Sequence, residues 1–300
     1  MKIRYSQPLK LFKKEVGNAN HMLITILVGL DAIVDNEITP RSEFKVSWNP
    51  RDKSKSAERS KDFAKKASLV WMVDCLDMYL RLINRSPSII FDNNLKFQMD
   101  GEAKSVYNKA NIVAEFCGIN GSIEYAMVDL IISWRNNLTH FNIDNKIKDR
   151  CRKVLVENQS IIRESYCHLD VVKMLESFEA KKIPTFKETA SQFKALIDFV
   201  YSVDKYLIRN LDEICYAERI LLHYIGEDPI KRMDNIFSKG KEKRERSLKE
   251  ILKQHGFTQE ADFPYSDQID EFCNKIAGMS AIEVKECVEK KSFGARYSKA

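Results

Sequence analysis

Apolar residues recur along most of this chain at intervals of three and four, which places them on one face of an α-helix. The strongest stretches are residues 60–85 and 186–224, where the apolar side chains form one broad helical face. On this pattern helices are predicted over residues 19–37, 60–85, 101–117, 121–140, 145–166, 169–178, 186–224, 245–255, 267–278 and 281–290. We therefore expect an all-α fold with more than about 60% helix and almost no sheet.

Turn and capping residues separate the predicted helices. Pro40 marks the end of the first helix, and residues 40–60 are polar with a basic excess, which predicts a long surface loop. Ser280 with Glu283 has the pattern of a capping box, which predicts the start of the last helix.

The best candidate for a domain boundary is the segment Gly226-Glu227-Asp228-Pro229, where turn-forming residues interrupt the helical pattern. Residues 1–225 contain the long amphipathic stretches, and residues 226–300 contain shorter ones. We therefore expect a helical bundle over residues 1–225 and a small helical accessory region over residues 226–300.

The composition is that of a globular protein with a moderate basic excess. Of the 300 residues 44% are hydrophobic, which argues against wholesale disorder and suffices for a sizeable core. Ten glycines and seven prolines are few, which favours helices over turns. The net charge of +6 at pH 7 permits a polyanionic partner without requiring one.

The cysteines and the apolar runs indicate in which cellular compartment the protein is expected. The seven cysteines are scattered and contain no Cys-x-x-Cys pair, so neither a disulfide framework nor a zinc site is indicated. The longest apolar run, residues 22–30, is far shorter than a membrane span. With no secretory leader pattern, the sequence predicts a reduced cytoplasmic protein that does not associate with a membrane. No motif for a cofactor is present, so none is expected.

One six-residue stretch, Arg135-Asn136-Asn137-Leu138-Thr139-His140, has side chains suited to a phosphodiester. It ends the apolar run of the predicted helix 121–140. The guanidinium of Arg135 can bind a phosphate with its planar fork, and His140 can transfer a proton because histidine titrates near neutral pH. The asparagines suit a helix end, which would free His140 from strict helical geometry.

A second stretch repeats the Arg-to-His spacing without the asparagine. Arg163 and His168 are also five positions apart, but Glu164 beside the arginine would repel a phosphate. No two histidines have metal-ligand spacing on one helix and no acidic cluster suggests a pair of metal ions, so a metal-free site is expected. The candidate catalytic residues are therefore Arg135, Asn136 and His140.

Two carboxylates fall among the apolar residues of the predicted helix 60–85. Asp74 and Asp77 occupy positions predicted to face the core, where an unpaired carboxylate is costly. Either Asp77 turns outward and pairs with Arg81 one helical turn later, or the two carboxylates support an active site. Asp74, Asp77 and Arg81 are therefore candidate supporting residues.

With Arg135, Asn136 and His140 identified, the chain resembles the HEPN superfamily of helical ribonucleases and nucleotide-binding proteins. The motif of that family is an arginine, usually followed by Asn, His or Asp, and then a histidine four to six residues later at a helix end. An acidic residue followed four positions later by a basic one, on an upstream helix, is a common second element, which Asp77 and Arg81 match loosely. The resemblance implies an HEPN-like bundle over residues 1–225.

The resemblance also implies a composite active site in which two copies of the motif face each other. Because this chain has one good motif, a homodimer that cleaves RNA without a metal is implied. Arg135 would stabilise the pentavalent phosphate, His140 would act as acid or base, and Asn136 would orient the phosphate or the second arginine. Such nucleases often serve as toxins or antiviral effectors, which implies an antitoxin or regulatory protein as a further partner.

Two other classes of function remain open. Arg135 and His140 can belong instead to a buried hydrogen-bond network in a catalytically silent module that binds nucleotides or proteins. Exposure separates the two hypotheses, because catalysis needs both side chains at a cleft or a dimer seam. The third class is a DNA-binding regulator that uses the helices of residues 226–300, although no helix-turn-helix pattern is recognisable there.

Overall fold

The computed structural model describes residues 1–35, 50–101, 105–140, 142–259 and 267–294. Of the residues that the structure describes 76% are helical, so the predicted all-α fold is confirmed. The described helices are α1 (Gln7–Asp35), α2 (Lys53–Asn84), α3 (Asn93–Gly101), α4 (Val106–Phe116), α5 (Ile123–Thr139), α6 (Asp149–Glu157), α7 (Gln159–Ser165), α8 (Val171–Glu179), α9 (Phe186–Arg209), α10 (Glu213–Glu227), α11 (Pro229–Phe237), α12 (Lys241–Gln254), α13 (Asp267–Ala277) and α14 (Ala281–Glu289). Two short strands, β1 (Lys2–Ile3) and β2 (Phe257–Thr258), pair antiparallel.

Helix α1 begins at Gln7, well before the predicted start at residue 19. Its first turns bury Leu9, Phe12 and Val16, which are spaced by three and four residues. The lysines and asparagines between them hide this stripe in the sequence, and for that reason the predicted helix began too late.

Helix α2 begins at Lys53, inside the predicted surface loop 40–60. Asp52 caps it, because the Asp52 carboxylate accepts a 2.9 Å hydrogen bond from the Lys55 backbone N–H. The loop prediction is therefore wrong from residue 53 onward, and its first part, residues 40–49, lies outside the described residues.

Two predicted helices are each divided in the structure. The stretch 186–224 is α9 and α10, and Asp212 caps α10 by accepting a 2.9 Å hydrogen bond from the Cys215 N–H. The stretch 145–166 is α6 and α7, which meet at Asn158. Apolar spacing continues across both breaks, so periodicity alone does not locate them. The capping box of Ser280 and Glu283 at α14 is confirmed.

The chain forms two compact units, each built from separate segments. The first unit comprises residues 1–11, 79–103 and 202–300, and the second comprises residues 12–78 and 104–201. The segment 226–229, where a boundary was expected, lies within the first unit and spans the end of α10 and the start of α11.

In the first unit, α10, α12 and α13 pack together beside the strand pair. Gly256 precedes β2 with a φ of +99°, and a Cβ there would lie 1.8 Å from the Tyr5 carbonyl oxygen, so this position requires glycine. Asp204 accepts hydrogen bonds from the Ser6 N–H and the Tyr79 hydroxyl, at 3.1 and 3.3 Å. These contacts join the three segments that make up this unit.

In the second unit, α5 is the central helix. Every residue from Tyr125 to Trp134 is buried, so this stretch is apolar on nearly all sides and is surrounded by other helices. Helix α6 packs along α5.

Part of the broad apolar face predicted for residues 60–85 is on the solvent side in the second unit. Phe63 is 72% exposed and Trp71 is 51% exposed, whereas Leu69, Met72 and Leu76 are fully buried. Because α2 carries apolar residues on two faces, periodicity could not decide which of them faces the core.

Helix α1 meets the length and composition criteria for a membrane-spanning helix, with a mean hydropathy of 1.3 over an 18-residue window. Buried core helices of soluble proteins and signal sequences meet the same criteria. In this protein 17% of the window is buried, so the residues that the structure describes leave most of this window uncovered.

Candidate functional site

The core of the second unit fixes α5 up to the residue before Arg135. Ser122 caps the helix, because its hydroxyl accepts a 3.2 Å hydrogen bond from the Tyr125 N–H. At the other end the Trp134 indole N–H donates to the Lys182 carbonyl at 2.9 Å, and its ring meets Phe178 edge-on. The backbone that carries Arg135 is therefore held rigidly.

Arg135 lies four residues before the last residue of α5, Thr139, and is half-buried. Its Nε is buried and has no hydrogen-bond partner among the residues that the structure describes. Burial lowers the pKa of the Arg135 guanidinium, and the negative charges of Asp74 and Asp77 act in the opposite direction. Arg135 is thus a half-buried cation near two carboxylates, without an ion pair to either within the described chain.

His140 is the residue at which α5 ends, as predicted. Its φ and ψ of −113° and 126° are extended, and its backbone N–H donates to the Asn136 carbonyl at 3.0 Å. The His140 side chain is exposed, and that of Asn136 is half-buried. Within the described ranges neither side chain makes a hydrogen bond, so both are free to contact a ligand.

The second asparagine of the motif, Asn137, fixes the segment that follows the helix. Its amide N–H donates to the Asn145 carbonyl at 2.9 Å, and its amide oxygen accepts from the Asn145 N–H at 2.7 Å. These two bonds hold the segment around Asn142, which has a left-handed φ of 63°. Asn137 therefore stabilises the helix end, whereas Asn136 does not.

The supporting residues Asp74, Asp77 and Arg81 have different surroundings. Asp74 is exposed, so the expectation that it faces the core is wrong, because its side of α2 lies at the surface. Asp77 is half-buried and accepts a 3.0 Å hydrogen bond from the ammonium of Lys109. Arg81 is exposed and belongs to the first unit. Of the three, Asp74 and Asp77 share an electrostatic environment with Arg135.

Lys109, the partner of Asp77, was missed in the sequence. It is 3% exposed and sits on the buried face of α4 with Ala110 and Val113. A lysine at an apolar position of an amphipathic helix was the available signal, because a buried ammonium needs a partner. Its ion pair holds Asp77 in place beside Arg135.

Asp129, one of the buried residues of α5, was also missed. It is 1% exposed and accepts a 3.0 Å hydrogen bond from the backbone N–H of Lys148. The Lys148 ammonium in turn donates to Asn111 at 2.7 Å and to the Tyr125 hydroxyl at 2.8 Å. Burial raises the pKa of Tyr125, so this phenol stays neutral. The network ties the start of α6 to α5.

The competing pair Arg163 and His168 lines a cavity of about 870 Å³ in the second unit, together with Lys187. All three side chains are exposed, and none makes a hydrogen bond or ion pair in the part of the chain that the structure describes. The two carboxylates of the lining, Asp170 and Glu188, accept hydrogen bonds from backbone N–H groups at the starts of α8 and α9. The cavity therefore has free cationic groups.

Comparison with known proteins finds no match for this chain among protein-family models, curated proteins or solved structures.

Proposed function

We propose that this protein is an HEPN-like, metal-independent RNA endonuclease in which Arg135 and His140 are the catalytic residues and Asn136 positions them or the phosphate. The observation that carries the proposal is the half-buried Arg135 guanidinium, which has no ion pair within the described chain. A cation kept without a bound carboxylate is costly and is characteristic of sites that bind an anion. His140, five residues later, supplies an exposed group for proton transfer.

The proposed reaction uses the nucleophile that RNA itself carries. One imidazole accepts the proton of the ribose 2′-OH, the 2′ oxygen bonds to phosphorus, and the bond from phosphorus to the 5′ oxygen breaks. A second, protonated imidazole donates a proton to the leaving 5′ oxygen. Arg135 stabilises the negative charge of the pentavalent phosphate. The products are a 2′,3′-cyclic phosphate and a 5′-hydroxyl, and DNA is resistant because it has no 2′-OH.

The proposed protein is a homodimer with a composite site, and this assembly provides the two imidazoles that the reaction needs. Each chain supplies one Arg135 and one His140, and a two-fold axis brings the two copies together. Light scattering at micromolar concentration is expected to show a dimer or a larger even-numbered assembly. A monomer with undiminished nuclease activity would contradict the composite site.

The biological setting is proposed from the HEPN resemblance: a cytoplasmic toxin or antiviral effector held in check by an antitoxin or regulatory protein. The direct experiment on the activity itself is to incubate the purified protein with total RNA in EDTA, beside the His140→Ala variant. We expect cleavage by the wild type and none by the variant.

The cavity of Arg163, His168 and Lys187 favours a second candidate, a nucleotide-binding module without catalysis. Two cationic side chains and an imidazole around about 870 Å³ suit a ligand that carries phosphates. Thermal stabilisation by a panel of mononucleotides, lost in Arg163→Ala and retained in Arg135→Ala, would favour this function if no RNA cleavage is found.

A further inference from the structure

Helices α1 and α2 of the second unit enclose an apolar groove that no other part of the described chain covers. We define the hairpin groove as Met22, Ile26 and Leu30 of α1 with Phe63, Ala67 and Trp71 of α2, around about 390 Å³. Lys61 of α2 pairs with Asp31 of α1 at 2.6 Å, so the two helices are joined at this level.

Several apolar side chains of the hairpin groove are exposed next to one another, unlike the isolated apolar residues found on most protein surfaces. Met22 is 61% exposed and Phe63 is 72% exposed. Outside the groove, Val28 on another side of α1 is 63% exposed. Contiguous apolar surface on two neighbouring helices marks an interaction site, because leaving it in water costs about 25 cal/mol per Å².

The charged residues along α2 indicate which kind of partner the hairpin groove can bind. Arg59, Phe63, Ala67, Trp71 and Asp74 follow one another at spacings of four and three residues, so they form one stripe along the helix. The stripe has a cation at one end and an anion at the other. Arg59 and Asp74 are exposed, and neither makes a hydrogen bond or ion pair with the residues described.

The stripe is complementary to itself when reversed. Phe63 and Trp71 each lie four residues from Ala67, and Arg59 and Asp74 lie eight and seven residues from it. A two-fold axis at Ala67 therefore sets Phe63 against the partner's Trp71 and brings Arg59 within one residue of the level of the partner's Asp74. The small side chain of Ala67 allows the helices to approach closely at the axis, as isologous contacts require.

We infer that the hairpin groove binds the hairpin groove of a second copy of this chain, with the two α2 helices antiparallel about Ala67. The four helices, α1 and α2 of each copy, then form a bundle whose apolar core is built from the two grooves. Two symmetry-related pairs of Arg59 with Asp74 fix the direction and register of the pairing.

This assembly is separate from the composite nuclease site and does not rest on RNA cleavage. With a rise of 1.5 Å per residue, the two copies of Asp74 lie about 20 Å apart along the paired helices. Because Asp74 acts electrostatically on Arg135 of its own chain, the two α5 ends lie toward opposite ends of the bundle. A composite site would need a second contact, and the two contacts together would produce a tetramer or a longer assembly.

Charge reversal tests the pairing by sedimentation velocity on the full chain. Arg59→Asp places two carboxylates together at each end of the stripe, and Asp74→Arg places two guanidinium groups together. We expect each single variant to raise the dissociation constant of the pair at least about tenfold. The double variant Arg59→Asp with Asp74→Arg restores opposite charges and is expected within about threefold of wild type.

Phe63→Glu gives a second readout, because Phe63 is exposed in the single chain and its replacement is expected to leave the fold intact, which circular dichroism checks. We expect this variant to halve the mass of the assembly, whereas the matched control Ile230→Glu, at a residue 89% exposed in the first unit, keeps the wild-type mass. A monomeric wild type, single reversals without effect, or a double variant no better than the singles would overturn the inference. So would a monomer that binds phosphatidylcholine–phosphatidylglycerol vesicles through Phe63, because the groove would then face lipid.

Discussion

The end of α5 and the connection from α7 to α8 both contain an arginine followed five positions later by a histidine, and the structure gives the two pairs different surroundings. Arg135 is half-buried at the end of the central helix, with its Nε unpaired within the described chain, beside two carboxylates. Arg163 is exposed at the end of the short helix α7. His140 ends its helix in an extended conformation, whereas His168 has a left-handed φ of 56°.

The difference teaches that the spacing of Arg and His does not identify a reactive site, and that the burial of the arginine is the informative part. A half-buried guanidinium is desolvated and rigid, so it can stabilise a developing charge without first losing its own hydration shell. An exposed guanidinium such as that of Arg163 can attract an anion but is well hydrated. The proposed function therefore places the chemistry at the first pair and only anion binding at the second.

The largest expected effect concerns RNA cleavage by variants of the two pairs. Arg135→Ala and His140→Ala are each expected to lower the cleavage rate by about 10²–10⁴-fold, since they remove transition-state stabilisation or proton transfer. Arg163→Ala and His168→Ala, the matched controls, are expected to cleave near the wild-type rate. Initial rates on a fluorescent RNA, with circular dichroism to verify folding, measure all four.

The assignment of the two pairs would be contradicted if the control variants lost RNA cleavage and the tested variants kept it. A loss of two orders of magnitude in Arg163→Ala or His168→Ala, with normal rates in Arg135→Ala and His140→Ala, would place the chemistry at the cavity.

The next effect concerns the carboxylates beside Arg135. Asp77→Asn removes the partner of the buried Lys109 ammonium, and we expect the free energy of unfolding to fall by about 2 kcal/mol, reduced from the fully buried case because Asp77 is partly exposed. Asp74→Asn is the control, since Asp74 is exposed and makes no ion pair within the residues described. Urea denaturation measures both, and equal losses would contradict the role assigned to Lys109.

The next effect concerns the pH dependence of stability and involves His255, which is half-buried in the first unit. Burial, with a smaller effect of His223, lowers the pKa of His255 from 6.5 to about 4. Because its pKa is lower in the folded state, its contribution to stability is complete above pH 6.5 and is lost as the pH falls toward 4. We expect a loss of about 2 kcal/mol over that range, below the about 3 kcal/mol of the full shift because His255 is partly exposed. His255→Gln should reduce the loss in urea titrations between pH 7 and 4, and identical profiles would contradict this assignment.

The smallest expected effect separates the two neighbouring asparagines. Asn137→Ala removes both hydrogen bonds to Asn145 and is expected to cost about 1 kcal/mol of stability. Asn136→Ala is expected to leave stability unchanged and to slow cleavage, because its amide has no bond in the described chain and faces the proposed phosphate. Thermal unfolding and cleavage rates together decide this, and a reversal of the two results would exchange the roles of the asparagines.

The sequence alone predicts where α5 ends, but it does not predict which residues from other helices surround that end. The apolar run before Arg135, followed by two asparagines, predicts a helix end at His140, and the structure has it there. That prediction succeeds because helix ends depend on local residues. The capping box of Ser280 and Glu283 succeeds for the same reason.

What could not be predicted depends on contacts between distant segments. The predicted inward face of α2 was wrong at Phe63 and Trp71 because both faces of this helix carry apolar residues. The helices that pack on α2 determine which of its faces is buried. Lys109 was overlooked because its partner Asp77 lies 32 residues earlier in the chain. The division of 186–224 at Asp212 was overlooked because a single capping residue interrupts an otherwise continuous apolar pattern.

The most direct test of the central claim is the chemistry of the cleaved bond. A short RNA with one scissile site is incubated with the wild-type protein in EDTA, beside the same RNA carrying a 2′-O-methyl ribose at that site. The account predicts cleavage of the first RNA to a 2′,3′-cyclic phosphate and a 5′-hydroxyl, no cleavage at the blocked site, and no cleavage of either by His140→Ala. Cleavage of the blocked RNA, or a requirement for Mg²⁺ with 5′-phosphate products, would contradict the assignment of the reaction to Arg135 and His140.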